Sequence, residues 1–285
     1  MKILVTGYTG QLGYDVVEIG KTQGHDMIGV GSRDLDITNE SSVMAFVEDI
    51  KPEAIIHCAA YTAVDKAEDD KENAWAVNVL GTKYLAAAAK SADAKFIYIS
   101  TDYVFDGSGN TPFKETDQPN PIGYYGQTKY EGEQLVQQIV DKWFVVRISW
   151  VFGRNGNNFV KTMLRLAETR QELNVVGDQY GSPTYTYDLA KVLLEMVQTD
   201  KYGIYHVSNE GYCNWAQFAE EIFAQSNLDV RVNHITTEEY PTRAKRPKNS
   251  RMSKEKLVEK GFHPMPRWQE SLSHYLQELK FEVEK

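Results

Sequence analysis

The chain of 285 residues is 42% hydrophobic, 12% aromatic and 25% charged, enough apolar material for a substantial core and too little bias for a disordered or collagen-like chain. Forty acidic against 31 basic residues leave a net charge of −9, a surface that repels phosphate backbones, so neither nucleic acid nor an anionic membrane is expected as a partner. The two cysteines, Cys58 and Cys213, cannot form a disulfide scaffold and lack metal-ligand spacing.

The first strand is expected over 2–6 and runs directly into the turn Gly7-Tyr8-Thr9-Gly10-Gln11-Leu12-Gly13. That opening leaves no room for a signal peptide, and no apolar run approaches the ~20 residues of a membrane span. A cytoplasmic location is therefore expected. Further strands are predicted over 26–30, 54–58, 95–100 and 143–148, and helices over 10–23, 41–50, 71–90 and 125–140. The strands are nearly continuous apolar runs, as in a parallel sheet covered on both faces. Strand-helix alternation after a glycine turn predicts an α/β fold with a doubly wound parallel Rossmann sheet over 1–150.

Glycines at 7, 10 and 13 let the turn tighten, the backbone approach a pyrophosphate and the helix pack close to the sheet. The unpaired N–H groups of the helix then favour phosphate beside Gly10, Gln11 and Leu12. Adenosine-ribose sites specific for NAD usually carry an acid at the end of the second strand. Here that stretch reads Val30-Gly31-Ser32-Arg33. Ser32 offers a hydroxyl and Arg33 can pair with a 2′-phosphate, so NADPH is the expected cofactor, with NADH also accepted. Arg33 as a solvated surface charge is the other reading.

Ser100-Thr101-Asp102-Tyr103 ends a buried strand at the edge where open α/β sheets bind ligands. Tyr125 and Lys129 follow on a helix, and their i,i+4 spacing puts phenol and ammonium on one face. Lysine and an oxidised nicotinamide would both draw a phenol from its usual ~10 towards neutrality, fitting it for proton transfer. The Thr101 hydroxyl can polarise the same carbonyl oxygen.

Beyond 150 the rhythm changes. Helices are expected over 157–168, 215–225 and 268–279, with a turn-rich stretch over 176–187, a strand over 203–207 and a basic loop over 241–247. Residues 151–285 read as a smaller substrate-binding lobe that can return elements to the sheet.

Several strings then occur in order: Ala59-Ala60-Tyr61-Thr62-Ala63-Val64-Asp65, Ser100-Thr101-Asp102-Tyr103-Val104-Phe105, Tyr125-Gly126-Gln127-Thr128-Lys129, Ser149-Trp150-Val151-Phe152, Asp178-Gln179-Tyr180-Gly181-Ser182-Pro183-Thr184 and Arg246-Pro247-Lys248-Asn249-Ser250. Over essentially its whole length the chain resembles the dTDP-4-dehydrorhamnose reductases of the extended short-chain dehydrogenase/reductase superfamily. The resemblance implies NADPH-dependent reduction of the C4 ketone of dTDP-4-dehydro-L-rhamnose to dTDP-L-rhamnose. It makes Tyr125 the proton donor, gives Lys129 the nicotinamide ribose and Thr101 the ketone. Asp102, Tyr103 and Trp150 would line the sugar site, Ala59, Ala60 and Thr62 the cofactor, and Asp36 and Ile37 the adenine. Arg243, Lys245, Arg246 and Arg251 are candidates for the substrate diphosphate. A nucleotide sugar is thus the expected small-molecule partner, and a homodimer stays open.

Some members of that family bridge a dimer with magnesium on glutamates. Asp15 and Asp188 stand at such positions here, shorter carboxylates, and no metal is expected. The regulatory β subunit of methionine adenosyltransferase shares many of these motifs as a binding protein, and nucleotide-sugar epimerases share the superfamily. Thr101, Tyr125 and Lys129 together favour an enzyme, and Asp102-Tyr103 after the threonine favours simple reduction.

Overall fold

Ile3, Leu4 and Val5 have no exposed surface, so the first strand has no solvent face and belongs inside a covered sheet. The computed structural model, which describes residues 1–283, places it there. Strands β1 (Lys2–Thr6), β2 (Asp26–Val30), β3 (Ala54–His57), β4 (Lys95–Thr101) and β5 (Trp143–Ile148) pair in parallel in the order β2-β1-β3-β4-β5. The connecting helices are α1 (Gln11–Thr22), α2 (Glu40–Ile50), α3 (Val64–Ala67), α4 (Lys71–Trp75), α5 (Thr82–Ser91) and α6 (Tyr124–Ile139). Because β2 and β3 leave β1 on opposite sides, the chain reverses its winding there, and a crevice opens at the carboxyl ends of the strands.

The second half contributes β6 (Val151–Phe152), α7 (Phe159–Ala167), β7 (Glu172–Val176), β8 (Tyr180–Gly181), β9 (Thr184–Tyr185), α8 (Thr186–Val197) and β10 (Gly203–His206). It closes with β11 (Cys213–Asn214), α9 (Trp215–Gln225), β12 (Arg231–Ile235), α10 (Glu255–Glu259) and α11 (Trp268–Val283). Strand β10 returns to pair in parallel with β5 as the sixth strand of the main sheet. Val16 and Val17 of α1 share a core with Leu189 and Leu193 of α8 on one sheet face, while α2, α5 and α6 cover the other. A third cluster around Phe152, Met163, Phe218 and Trp268 belongs to the second half.

Two of the differences from the sequence expectation have a clear physical cause. The helix predicted over 71–90 is broken by a π-helical segment, Ala76–Gly81, that turns Asn78 inward. There its Oδ1 accepts from Tyr61 N–H at 2.8 Å, and its Nδ2 donates to Thr128 Oγ1 at 3.0 Å and to the Tyr61 carbonyl at 3.2 Å. Three buried bonds offset the disturbed ladder, a use typical of such bulges. The second difference is α8, which starts inside the supposed turn region. It lacks a side-chain N-cap and is buried on most of its circumference, so neither a start signal nor a polar stripe marks it. Among the described residues, no helix is long and apolar enough to cross a membrane.

Candidate active site

The crevice begins at the glycine turn. Gly7 sits at φ +73°, and a Cβ there would lie 2.7 Å from the Ala59 nitrogen, while one on Gly13 would fall on the Gly7 carbonyl. Gly10 caps α1 without a side-chain bond, and no acidic residue occupies the first turn. The free N–H groups and the positive helix end therefore face the crevice without a competing carboxylate. Asn155, from the loop after β6, donates to the carbonyls of Thr9 and Gly10 at 2.8 and 3.1 Å and pins the turn from the other half of the chain. These features fit a dinucleotide pyrophosphate.

A cleft of about 620 Å³ extends from this turn. Gly7, Gly10, Gln11 and Leu12 form its floor, Ser32, Asp36 and Ile37 one end, and Ala59, Ala60 and Thr62 a wall. Thr101, Asp102, Tyr103, Tyr125, Lys129 and Trp150 form the other end. Gly13 lies beneath the turn. Arg33 stands exposed outside the wall, one residue beyond Ser32. Asp36 is tied into its own turn by the N–H and hydroxyl of Thr38, at 3.0 and 2.7 Å, which hold its carboxyl below the usual range.

At the far end, β4 delivers Thr101 and α6 delivers Tyr125 and Lys129. Thr101 Oγ1 donates to Asp102 Oδ1 at 3.0 Å and accepts from the Tyr103 N–H at 3.2 Å. Asp102 is 3% exposed, and Oδ2 of its carboxyl lacks a partner. Burial pushes that acid up to about 6, against the pull of the Ser250 and Thr101 hydroxyls. Burial, aided by Asp102, likewise raises the Tyr125 phenol well above its ordinary value. The downward shift expected from Lys129 and an oxidised nicotinamide is not the resting state of the phenol: in the protein itself burial and the neighbouring acid prevail. Lys129 is pulled down to about 7 by burial, and its Nζ rests 4.2 Å above the Tyr98 ring.

Tyr103 and Trp150 also line a second cleft of about 710 Å³, walled by α7, β7, Trp215, Tyr240 and Arg246. Trp150 takes a left-handed backbone, φ +50°, which turns its indole onto Trp215 at a ring separation of 3.7 Å and 16°. A Cβ on Gly181 would lie 2.8 Å from that indole, so Gly181 leaves room for the stack. Arg246 does not stand free for a diphosphate: Nη1 donates to Tyr103 OH at 2.9 Å, and Nη2 pairs with Asp65. Arg243 pairs with Asp69. These bonds tie the 241–248 segment across to α3 and its C-terminal flank.

Asp15 is buried and accepts from Thr186 Oγ1, while Asp188 accepts from Ser271 Oγ at 2.5 Å and Asn209 Nδ2 at 3.3 Å. Asp15 thus ties α1 to α8, and Asp188 ties α8 to α11. Sequence reasoning missed Asn78, Asn155, Trp215, Glu133 and Arg147 at or behind the site. Only Glu133 carried a local signal, standing one further helical repeat beyond Tyr125 and Lys129.

Residues 1–281 match the family described as RmlD substrate binding domain. The chain is 43% identical over 287 aligned positions to a dTDP-4-dehydrorhamnose reductase of Aggregatibacter actinomycetemcomitans, covering 96% of this chain and 97% of that protein. It superposes on the crystal structure of a dTDP-4-dehydrorhamnose reductase from Clostridium acetobutylicum with a TM-score of 0.96 at 45% identity, covering 98% of this chain and 100% of the other. A Bacillus anthracis dTDP-4-dehydrorhamnose reductase, solved in complex with NADP, gives 0.95 at 44% identity, with 97% and 99% covered.

Proposed function

The chain belongs to the RmlD substrate binding domain family, and from that premise we propose that it reduces the C4 ketone of dTDP-4-dehydro-L-rhamnose to dTDP-L-rhamnose with NADPH. The observation that carries the reading is the convergence of Thr101, Tyr125 and Lys129 where the glycine-turn cleft meets the second cleft. The two clefts share Tyr103 and Trp150, so a dinucleotide in one and a sugar ketone in the other can meet there. In the first cleft Gly10, Gln11 and Leu12 would hold the cofactor's pyrophosphate, Ile37 would meet its adenine, and Tyr125 and Lys129 would hold its nicotinamide ribose. When bound, NADPH supplies the hydride. Residues up to about 150 carry this function, and the later ones form the nucleotide-sugar lobe. The reaction belongs to the cytoplasm.

Tyr125 supplies the proton. Its raised phenol is protonated at neutral pH, the form a general acid needs, and transfer to the C4 oxygen leaves a phenolate. Lys129 beside it favours that phenolate by charge. Thr101, bonded to Asp102, can turn its hydroxyl to the same oxygen when Asp102 is protonated. Trp150 offers an aromatic face to the sugar, and Arg246 can exchange Asp65 for a substrate phosphate through its planar fork. Cofactor oxidation followed with dTDP-6-deoxy-L-lyxo-4-hexulose, against the matching UDP-keto-sugar, tests the reading. Turnover of the dTDP sugar is expected; binding of both nucleotides without turnover would overturn it.

A further inference from the structure

Behind Lys129 stands a carboxylate that this reaction does not use. Tyr125, Lys129 and Glu133 recur every four residues and share one face of α6. Glu133 has no exposed surface. Its Oε1 accepts from Ser100 Oγ of β4 at 2.5 Å and from Arg147 Nε of β5 at 2.9 Å, and its Oε2 accepts from Arg147 Nη2 at 2.7 Å. Arg147 is 1% exposed, with its guanidinium 5.0 Å from the Phe105 ring centroid and Nη1 3.4 Å from His206. A buried ion pair gives little net stability over apolar residues of the same volume, so its retention one turn behind the site points to another role.

The groups facing the Lys129 ammonium show what that role is. From β3 and its end it meets His57, held down to about 3, and Cys58, pushed up to about 12, so both are uncharged at neutral pH. From β4 it meets the ring of Tyr98, a phenol raised well above its ordinary value. On its own helix it shares a face with Tyr125, also protonated, and with Glu133, whose charge opposes the loss of the lysine proton. Asp102 acts on the Tyr125 side of the site. The negative charge standing behind the ammonium is therefore that of Glu133.

We propose that Glu133, clamped by Ser100 and Arg147, is a positioning residue whose charge extends the cationic form of Lys129 up towards neutral pH, and with it the hold on the ribose of the dinucleotide. The proposal rests on the reading of Lys129 as a cofactor-binding residue. The test is NADPH affinity, read by fluorescence, together with the pH profile of reduction, each between pH 6 and 9. An opposite charge nearby moves a pKa by ~1–3 units, and sharing the carboxylate with Arg147 sets the lower end. Glu133→Gln should therefore move the alkaline loss of affinity down by about one pH unit. Affinity should stay within about twofold of wild type at pH 6 and fall about tenfold below it at pH 8. Because Glu133→Gln strands a buried guanidinium, the double variant Glu133→Gln/Arg147→Gln, neutral at both positions, is measured beside it and should move the limb in the same direction by a smaller step, since the opposing charge of Arg147 leaves with the carboxylate. An unmoved alkaline limb, or an equal loss at every pH, would overturn the proposal while leaving the function intact. A wild-type protein that binds no NADPH at any pH would overturn the functional reading and this proposal with it.

Discussion

Tyr125→Phe keeps the ring that meets Tyr103 edge-on at 5.6 Å but removes the transferable proton. Reduction should fall by ~10²–10⁴ with NADPH affinity retained, as single-turnover kinetics and equilibrium binding would show. Arg33 stands outside the cleft wall and exposed, so its bond to a 2′-phosphate is heavily solvated. A charge-assisted bond contributes about 1.5–3 kcal/mol when shielded from water. Solvent brings it to about 1.4 kcal/mol or less, a tenfold preference at most. Arg33→Ala should abolish that preference in kcat/KM and leave NADH kinetics unchanged; equal wild-type values for the two cofactors would remove Arg33 from the account. Trp150→Phe loses most of the stack on Trp215, a contact worth about 0.5–1.5 kcal/mol. Since the indole is only partly buried, KM for the sugar nucleotide should rise several-fold with little change in Tm. A large drop in Tm with intact kinetics would make Trp150 a packing residue alone.

The elements of the first half were legible because each strand is a short, mostly apolar run and the helices between them carry periodic apolar faces. The site residues standing at strand ends and on α6 could be named for the same reason, since spacing along one element is local information. Other features depend on partners far away in sequence. Strands β7 and β12 are short and pair only with each other, so neither is compelled without its mate. Arg246 looked like a free cation because Asp65, 181 residues earlier, cannot be read as its partner. The π-helical segment was hidden too, since Ala76-Val77-Asn78-Val79 suits an ordinary helix until Tyr61 and Thr128 arrive. Asn78→Ala tests that account. It removes three bonds and leaves buried groups unsatisfied, at about 1–3 kcal/mol each. Urea unfolding should show a loss of about 3 kcal/mol, and a change below about 0.5 kcal/mol would mean the bulge does not depend on Asn78.

Over the whole molecule, buried ionisable groups set how stability depends on pH. His57 is held down to about 3 by burial and by Lys129, and His206, enclosed beside Arg147, lies well below its ordinary value. Both stay neutral in the folded chain, whereas unfolded histidines protonate near ~6.5. Their contribution is complete above ~6.5 and is lost as pH falls towards the folded values, at about 1.4 kcal/mol per pH unit for each. Asp102 acts oppositely: held up to about 6, it protonates first in the folded state and offsets one of these protons below that pH. The loss from these groups should begin near pH ~6.5 and continue down towards the folded values, held to less than two protons' worth by Asp102 once that acid is protonated. His57→Gln, which can keep bonds to Thr6 and Thr82, should lessen the slope below pH ~6.5 by up to about 1.4 kcal/mol per pH unit, as Tm across a buffer series would reveal. An unchanged slope would mean that His57 protonates in the folded protein.

The return of β10 to the edge of β5 has a consequence for how the chain is made. When Ile148 leaves the ribosome the edge of β5 is unpaired, and the face of α1 that α8 will cover, with Val16 and Val17, is bare. At ~5–20 residues per second, synthesis from there to Gly203 takes roughly 3–10 s. During that interval the nascent chain carries an adhesive sheet edge and an apolar helix face together. The first half is thus aggregation-prone until the second half emerges, and a ribosome paused between codons 150 and 200 should leave a product that aggregates although every residue of the glycine turn and the Tyr125/Lys129 pair has already been translated.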